Sequence, residues 1–385
     1  MTEPKIHFQE RVNLLETAMS NKKGNRVPVV SMATTWTYWH AGYLPKDGLE
    51  NPEINLKVLR KFYDDFYWDG IIFVRNGKAF SQSTLDILGG GTFTYDKNGM
   101  QQTAPGSVTV MEEGEYPELT ADPYRFILEK VFPRRYRLMA REDDGKYADM
   151  CKVMEMVEAM NRQNALENAI APKEYGIPQM RIAAFFNPVD IILDYLRDFD
   201  VIISDVKRRP QAVRDAGLAM VDLSLDHIGN AKPEPGKALV MPMHLPQFLR
   251  AKDFEKVYWP SWKKVADEIS RRGFKVIYYF ERSYAHLFDY LRELPEGTVG
   301  LFEDDKVWDA KAALPNMAVA GGMPNDLLYR GTKQECVDYA KMLVDKTAAN
   351  GGYLFTTNMI MLTPSDGKAE NLKAVNEFVC QYSAK

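Results

Sequence analysis

The length, composition and charge of the chain exclude several classes of protein. Its 385 residues, 45% hydrophobic and 26% charged, suit one (β/α)8 barrel with insertions, and the net charge of −4 is well mixed, which argues against a nucleic-acid partner. No apolar run approaches the roughly 20 residues of a membrane span, the N-terminus lacks an apolar signal core, and three scattered cysteines form no CxxC motif, so we expect a cytoplasmic protein without a membrane partner.

In chain order, eight short apolar runs have the character of strands that are buried on both faces of a parallel sheet. They span residues 27–32, 70–75, 181–187, 238–244, 275–281, 298–303, 317–322 and 352–358. Helical patterns separate the runs, which implies right-handed crossovers. We therefore predict an α/β protein, a (β/α)8 TIM barrel that forms a single domain over residues 1–385.

The spacing of the runs is uneven, and it predicts large insertions in the early βα segments, between the second and third runs and between the third and fourth. Within the first of these insertions, residues 88–106 (LGGGTFTYDKNGMQQTAPG) are rich in glycine and turn-forming residues. Such a segment is typical of a β-hairpin or a lid over the mouth of a barrel.

Polar residues close several of the runs, at the end where barrel enzymes carry their chemistry. Three neighbouring runs end in His244, Glu281 and Glu303. Adjacent strands lie about 5 Å apart, so these three side chains can converge. The set can act as a catalytic group in two ways, as ligands of a Zn²⁺ ion or as a general acid–base cluster. A hydrogen-bonded structural histidine and a solvated acidic loop (Glu303 precedes Asp304 and Asp305) are the plainer interpretations.

Aromatic residues are dense beyond the first run and near the ends of others. We expect a flat, apolar or aromatic substrate at the mouth of the barrel, because aromatic walls favour stacking, although large rings are also common in protein cores. The residues predicted to bind this substrate are Trp36, Tyr38, Trp39, His40, Phe186, Asn187, Tyr279 and Asn358.

Four segments of the second half resemble the uroporphyrinogen-decarboxylase superfamily. They are residues 243–265 (MHLPQFLRAKDFEKVYWPSWKKV), 275–284 (KVIYYFERSY), 294–305 (LPEGTVGLFEDD) and 320–358, which begins AGGMPNDLLYRGT and ends GGYLFTTN. The resemblance implies a barrel and one of two activities. One is decarboxylation of uroporphyrinogen, and the other is methyl transfer to or from a corrinoid cofactor.

The departures from the superfamily pattern favour the second activity. True decarboxylases carry an arginine-containing RQAGRY segment, whereas residues 31–43 here contain no arginine, and Thr356, Thr357 and Asn358 stand where decarboxylases have a histidine. A substrate with eight carboxylates needs cationic groups. The zinc-dependent thiol methyltransferases carry H-x-C where this chain has Tyr279-Phe280-Glu281, so any bound zinc would need the oxygen and nitrogen ligands named above.

The YFE segment, together with MHLPQF and LFE, resembles the branch that cleaves ethers. By resemblance, the protein moves a methyl group from an aromatic methyl ether to the cob(I)amide of a corrinoid protein. The sequence contains no D-x-H-x-x-G corrinoid motif, so the cobalamin-type cofactor is expected on that partner. The alternative is a decarboxylase of a different acid, with a carboxylate clamp drawn from Arg75, Arg282 or Arg330. A barrel that binds a tetrapyrrole without chemistry is a third interpretation, which the ionisable strand ends disfavour.

Overall fold

A computed structural model describes residues 3–74, 80–104 and 109–383, and in these residues short strands alternate with helices. Arg75, one of the arginines proposed for a carboxylate clamp, lies outside the described residues. The strands are β1 (Val30–Ser31), β2 (Gly70–Ile71), β3 (Phe93–Tyr95), β4 (Gln101–Thr103), β5 (Arg181–Ala184), β6 (Ala238–Met243), β7 (Val276–Phe280), β8 (Thr298–Phe302), β9 (Ala318–Met323) and β10 (Tyr353–Thr357).

The helices that precede β5 include α10, which is 30 residues long. This first group is α1 (Glu3–Met19), α2 (Trp36–His40), α3 (Pro45–Glu50), α4 (Pro52–Asp65), α5 (Gln82–Leu88), α6 (Tyr116–Ala121), α7 (Pro123–Phe126), α8 (Phe132–Arg135), α9 (Arg137–Ala140) and α10 (Gly145–Glu174). The later helices are α11 (Pro188–Ile192), α12 (Phe199–Arg208), α13 (Pro210–Ala219), α14 (Val221–Asp226), α15 (Ala251–Asp253), α16 (Trp259–Arg271), α17 (Phe288–Leu291), α18 (Val307–Ala313), α19 (Asn325–Arg330), α20 (Lys333–Thr347) and α21 (Ala369–Tyr382). None of the described helices is both long and apolar enough to cross a membrane.

Every one of the eight predicted runs overlaps a strand, and the strands that carry them are parallel. Six form one sheet in the order β10-β9-β8-β7-β6-β5, and β1 pairs with β2 in a second sheet. Single parallel bridges, Val29 with Phe355 and Ile71 with Gln179, lie between the small sheet and the two edges of the large one. The α/β class is therefore confirmed, whereas the ladder of a closed eight-stranded barrel is not found among the described residues. That the chain forms one domain remains a prediction.

The predicted insertions are present and contain the predicted hairpin. β3 pairs with β4 in antiparallel fashion between β2 and β5, and α5 to α10 occupy the rest of that interval. Helices α11 to α14 fill the interval between β5 and β6. The first insertion contributes Phe93 and Phe132, among other residues, to the wall of a cavity.

Apolar side chains on both faces explain why the strands are buried. One buried cluster, which includes Val240, Ile277, Val299 and Leu354, lies on one face of the strands, and a larger cluster packs against the helices. Gly321 in β9 has a φ of +105°, and a Cβ there would lie 2.9 Å from the Phe302 carbonyl oxygen. Only glycine adopts this conformation without strain, so the close approach of β9 to β8 depends on it.

Candidate active site

The register of the sheet places the three polar strand ends side by side. Met243 pairs with Phe280, and Phe280 pairs with Phe302. His244, Glu281 and Glu303 are the next residues of their chains, so they lie at the carboxyl edge of β6, β7 and β8. The prediction that these positions are neighbours is confirmed, but the side chains divide into an associated pair and a separate carboxylate.

His244 lies between two carboxylates. Its Nδ1 is 2.7 Å from Asp194 Oδ2, and its Nε2 is 3.5 Å from Glu281 Oε1. Burial alone would lower the pKa of His244, but the hydrogen bonds to Asp194 and Glu281 raise it well above its ordinary value. The imidazole therefore holds a proton at neutral pH and can supply it to a group bound near Glu281.

A fully buried carboxyl group, that of Asp190, forms a hydrogen bond with the backbone of His244. Asp190 accepts hydrogen bonds from the backbone N–H groups of His244 (3.2 Å) and Leu245 (3.0 Å) and from the hydroxyl of Tyr258 (2.6 Å). Burial raises the pKa of Asp190 to about 7, with Asp194 acting in the same direction and His244 opposing it. We refer to His244, Asp190, Asp194 and Glu281 as the His244 cluster.

Sequence analysis missed Asp190 and Asp194, because it considered only residues at strand ends. Both follow β5, Asp190 in α11 and Asp194 in the π-helical turn Leu193–Arg197. Their spacing of four residues is the available signal, since residues i and i+4 of a helix share a face. The π-helical turn is itself a feature that is common at functional sites.

Glu303 has a partner of its own outside the His244 cluster. Its Oε2 accepts a hydrogen bond from the Arg282 backbone N–H at 3.0 Å, and burial together with the charge of Glu281 raises its pKa. Asp194 already occupies Nδ1 of His244. Among the residues that the structure describes, no group of three or more His, Cys, Asp and Glu side chains could hold a metal ion. The predicted zinc site of His244, Glu281 and Glu303 does not fit this geometry.

The backbone at Glu281 is strained. Arg282, the next residue, has a φ of +61°, in the left-handed region that few non-glycine residues adopt. Its N–H donates to Glu303, which holds the bend in place. Strain of this kind persists where surrounding contacts impose it, often at functional sites.

Beside the His244 cluster, a cavity of about 890 Å³ opens between β2, β5 and the first insertion. We call it the aromatic cavity, because its rings are Phe73, Phe80, Phe93, Phe132, Tyr136, Phe186 and Tyr195. Phe186 joins the two parts of the site, since its ring centroid lies 5.6 Å from Tyr195 and 5.7 Å from the ring of His244. The volume falls within the range of ligand pockets, and the walls suit an aromatic compound.

The four residues of the WTYWH segment that were predicted to bind substrate have other contacts. They form α2, where Trp36 donates to the Gly367 carbonyl oxygen and stacks on His40, and His40 pairs with Asp65. Tyr38 donates to Asn55 at 2.7 Å. In the described part of the chain, neither these residues nor Trp39 belong to the lining of the aromatic cavity. Their role in substrate binding remains a prediction without support from this geometry.

The remaining predicted substrate residues differ in position. Phe186 lines the aromatic cavity, whereas Tyr279 is buried in the same cluster as Val240 and Ile277, against which Phe73 and Ile360 of the lining pack. Asn187 is fully buried and caps α11 by accepting from the Val189 N–H. Asn358 accepts from the Asn325 N–H and donates to the Glu303 carbonyl oxygen. The two asparagines therefore hold the backbone near the site.

Comparison with protein families assigns the class of the molecule. A model of the family uroporphyrinogen decarboxylase (URO-D) matches residues 186–382, which is just over half of the chain. The chain therefore belongs to the uroporphyrinogen decarboxylase family, whose members are enzymes with a TIM-barrel fold. A comparison with curated proteins finds no match. The family fits both a decarboxylase and a methyltransferase, so the choice between them depends on the residues of this chain.

Proposed function

We propose that this enzyme transfers the methyl group of an aromatic methyl ether, of the methoxyphenol type, to the cob(I)amide of a partner corrinoid protein. The observation that carries the proposal is the contact of Phe186 with His244, because it joins an aromatic cavity to a protonated histidine. An aryl ether needs both features. The ring requires an aromatic wall, and its oxygen requires a proton when the methyl group leaves.

In this reaction the protein must protonate the ether oxygen of the leaving phenolate. The acceptor, when bound, supplies the nucleophile that takes the methyl group. A phenol has a pKa of about 10, so expelling the phenolate without a proton is difficult at neutral pH. His244 holds that proton between Asp194 and Glu281, and Glu281 relays it from Nε2 of His244 to the ether oxygen as the carbon–oxygen bond breaks. Glu281 is the more exposed of the two, with 34% of its side chain accessible, so it meets the substrate.

We also propose that this chain forms the closed barrel of its family. We expect β1 and β2 to complete an eight-stranded barrel with the six-stranded sheet. The bridges of Val29 with Phe355 and of Ile71 with Gln179 support this arrangement, since they lie at the two places where the ring would close. In such a barrel the carboxyl ends of the strands form the mouth, which would be the docking face for the corrinoid protein.

The test is methyl transfer to free cob(I)alamin under strict reduction. The purified protein is mixed with a panel of methoxyphenols, and the visible spectrum and the free phenol are followed. Growth of the methylcobalamin spectrum with equal release of phenol is expected. Glu281→Gln should slow the transfer at least about 100-fold, as the loss of a general acid does. The exposed Glu296 provides the matched control, since Glu296→Gln should leave the rate unchanged. Full activity of a folded Glu281→Gln protein would overturn the assignment.

A second candidate function is decarboxylation of an acid other than uroporphyrinogen. The observation that favours it is the presence of Arg135 and Arg181 in the lining of the aromatic cavity. Arg282 and Arg330, proposed from the sequence for a carboxylate clamp, do not contribute to that lining as described. Release of CO₂ from an aromatic acid, with no methylation of the corrinoid, would establish this second function.

A further inference from the structure

The aromatic cavity contains two guanidinium groups that lack a carboxylate partner. Arg181, at the start of β5, has neither a hydrogen bond nor an ion pair through its side chain within residues 3–74, 80–104 and 109–383. The Arg181 guanidinium lies over the ring of Phe73, with its Cζ 5.6 Å from the ring centroid. No carboxylate among the described side chains pairs with it. Arg181 is half-buried, and a charge that is withdrawn from water normally has a partner.

Arg135 also has no carboxylate partner among the described residues, although one of its nitrogens has a hydrogen-bond acceptor. One of its terminal nitrogens donates to the Tyr195 carbonyl oxygen, but its Nε is buried without any partner among the described residues. Burial lowers the pKa of both Arg135 and Arg181, in the direction expected for cations that have lost water without gaining an anion. Both side chains line the aromatic cavity.

The acidic residue in the described lining does not neutralise these cations. Glu167 is buried, and its carboxylate accepts from the amide groups of Asn55 at 2.8 Å and Gln163 at 3.0 Å. The cavity thus combines aromatic walls with uncompensated positive charge. A neutral ether would leave the two guanidinium groups unpaired, whereas a ligand with a carboxylate would restore the interaction that each lacks.

We infer that the substrate of this enzyme is an aromatic acid, a methoxy-substituted arene carboxylate, whose carboxylate binds Arg181 with Arg135 beside it. The inference rests on the proposed methyl transfer for the methoxy group and on the cavity for the carboxylate. Arg181 and Arg135 are then residues that determine specificity, whereas the His244 cluster acts on the ether. Phe73 holds the Arg181 guanidinium against the cavity wall by its cation–π contact.

The test is equilibrium binding, which needs no corrinoid and no reaction. Calorimetric titration compares 4-methoxybenzoate with its neutral amide, 4-methoxybenzamide. The wild-type protein should bind the acid at least about 30-fold more tightly, because a buried carboxylate–arginine pair is lost with the amide. Arg181→Gln should remove this preference, and Arg181→Lys should retain part of it. Arg330→Gln is the control, since Arg330 is exposed and pairs with Asp326.

The outcomes separate this inference from the proposed function. Equal affinity of the wild-type protein for acid and amide, or binding of neither, overturns the inference even if Arg181→Gln does not fold. Unchanged acid binding by a folded Arg181→Gln protein overturns it too. If the acid binds through Arg181 but yields no methylcobalamin, the proposed methyl transfer fails while the carboxylate site stands. If neutral ethers transfer their methyl group as well as the acid does, the function stands and the inference fails.

Discussion

The two halves of the site come from different parts of the chain. The His244 cluster lies wholly within residues 186–382, which match the family. The aromatic cavity is lined mainly by residues before that range, including Phe73, Arg135 and Arg181. The matched half thus holds the His244 cluster, to which the acid–base role is assigned, and the preceding half forms most of the surface that a ligand would contact. This division predicts that substitutions in the two halves affect different quantities, the reaction rate in one and the affinity in the other.

The largest effect is expected from His244→Gln. Glutamine cannot hold the proton that lies between Asp194 and Glu281, so methyl transfer should fall about 100- to 10,000-fold. The affinity for the substrate should change little, because His244 lies beside the lining and not within it. His286→Gln is the matched control, since Nε2 of His286 forms a hydrogen bond with the Leu249 carbonyl oxygen and His286 does not belong to the His244 cluster. Rate constants under substrate saturation and calorimetric affinities check both parts. A His244→Gln protein that loses affinity but keeps its rate would contradict the assignment of the reaction rate to the matched half.

The sequence predicted the matched half better than the other. Apolar runs identified the strands, and because a parallel sheet aligns its carboxyl ends, His244, Glu281 and Glu303 could be placed together. What the pattern could not show was that Asp194 would take Nδ1 of His244 and that Glu303 would turn to Arg282. Those contacts depend on the bend at Arg282 and on a π-helical turn, neither of which has a simple sequence signal.

The aromatic cavity escaped prediction for a different reason. Its residues are far apart in the chain and meet only through the insertion between β2 and β5. Arg181 begins a strand, so the rule that function lies at strand ends directed attention away from it. The dense aromatics of α2 suggested a binding surface, but Trp36 and Tyr38 are buried, and they donate hydrogen bonds to Gly367 and Asn55. Composition indicates that rings are present, and only the packing shows which of them face a ligand.

The next prediction concerns how stability depends on pH in the matched half. The pKa of Asp190 is raised to about 7, so the folded protein binds a proton more tightly than the unfolded chain does. This contribution is complete below pH 4 and is lost as the pH rises through 7, by an amount on the order of 4 kcal/mol. The midpoint of urea unfolding should fall between pH 4 and 7 in the wild-type protein, and it should fall less in Asp190→Asn. A slope identical to that of the wild-type protein would contradict the assignment.

The preceding half should show the opposite dependence. Glu115 accepts from Arg134, and this hydrogen bond holds the pKa of Glu115 at about 2. The stabilisation it gives is complete above pH 4.5 and is lost as the pH falls to 2, by roughly 3 kcal/mol. Glu115→Gln should lower the urea midpoint at pH 6 and leave it nearly unchanged at pH 2.5. A loss of equal size at both pH values would mean that packing, and not charge, is what Glu115 contributes.

The smallest effect, His40→Gln, tests where the boundary of the site lies. His40 pairs with Asp65 at 2.7 Å and stacks on Trp36, outside the lining of the aromatic cavity as described. Removing a partly exposed pair of this kind should cost at most about 1 kcal/mol of stability. The affinity for methoxybenzoate should stay within about twofold, because no described contact connects His40 to the cavity. A tenfold loss of affinity at unchanged stability would show that α2 contacts the substrate, as the sequence suggested, and that the ligand extends beyond the aromatic cavity toward the first strand.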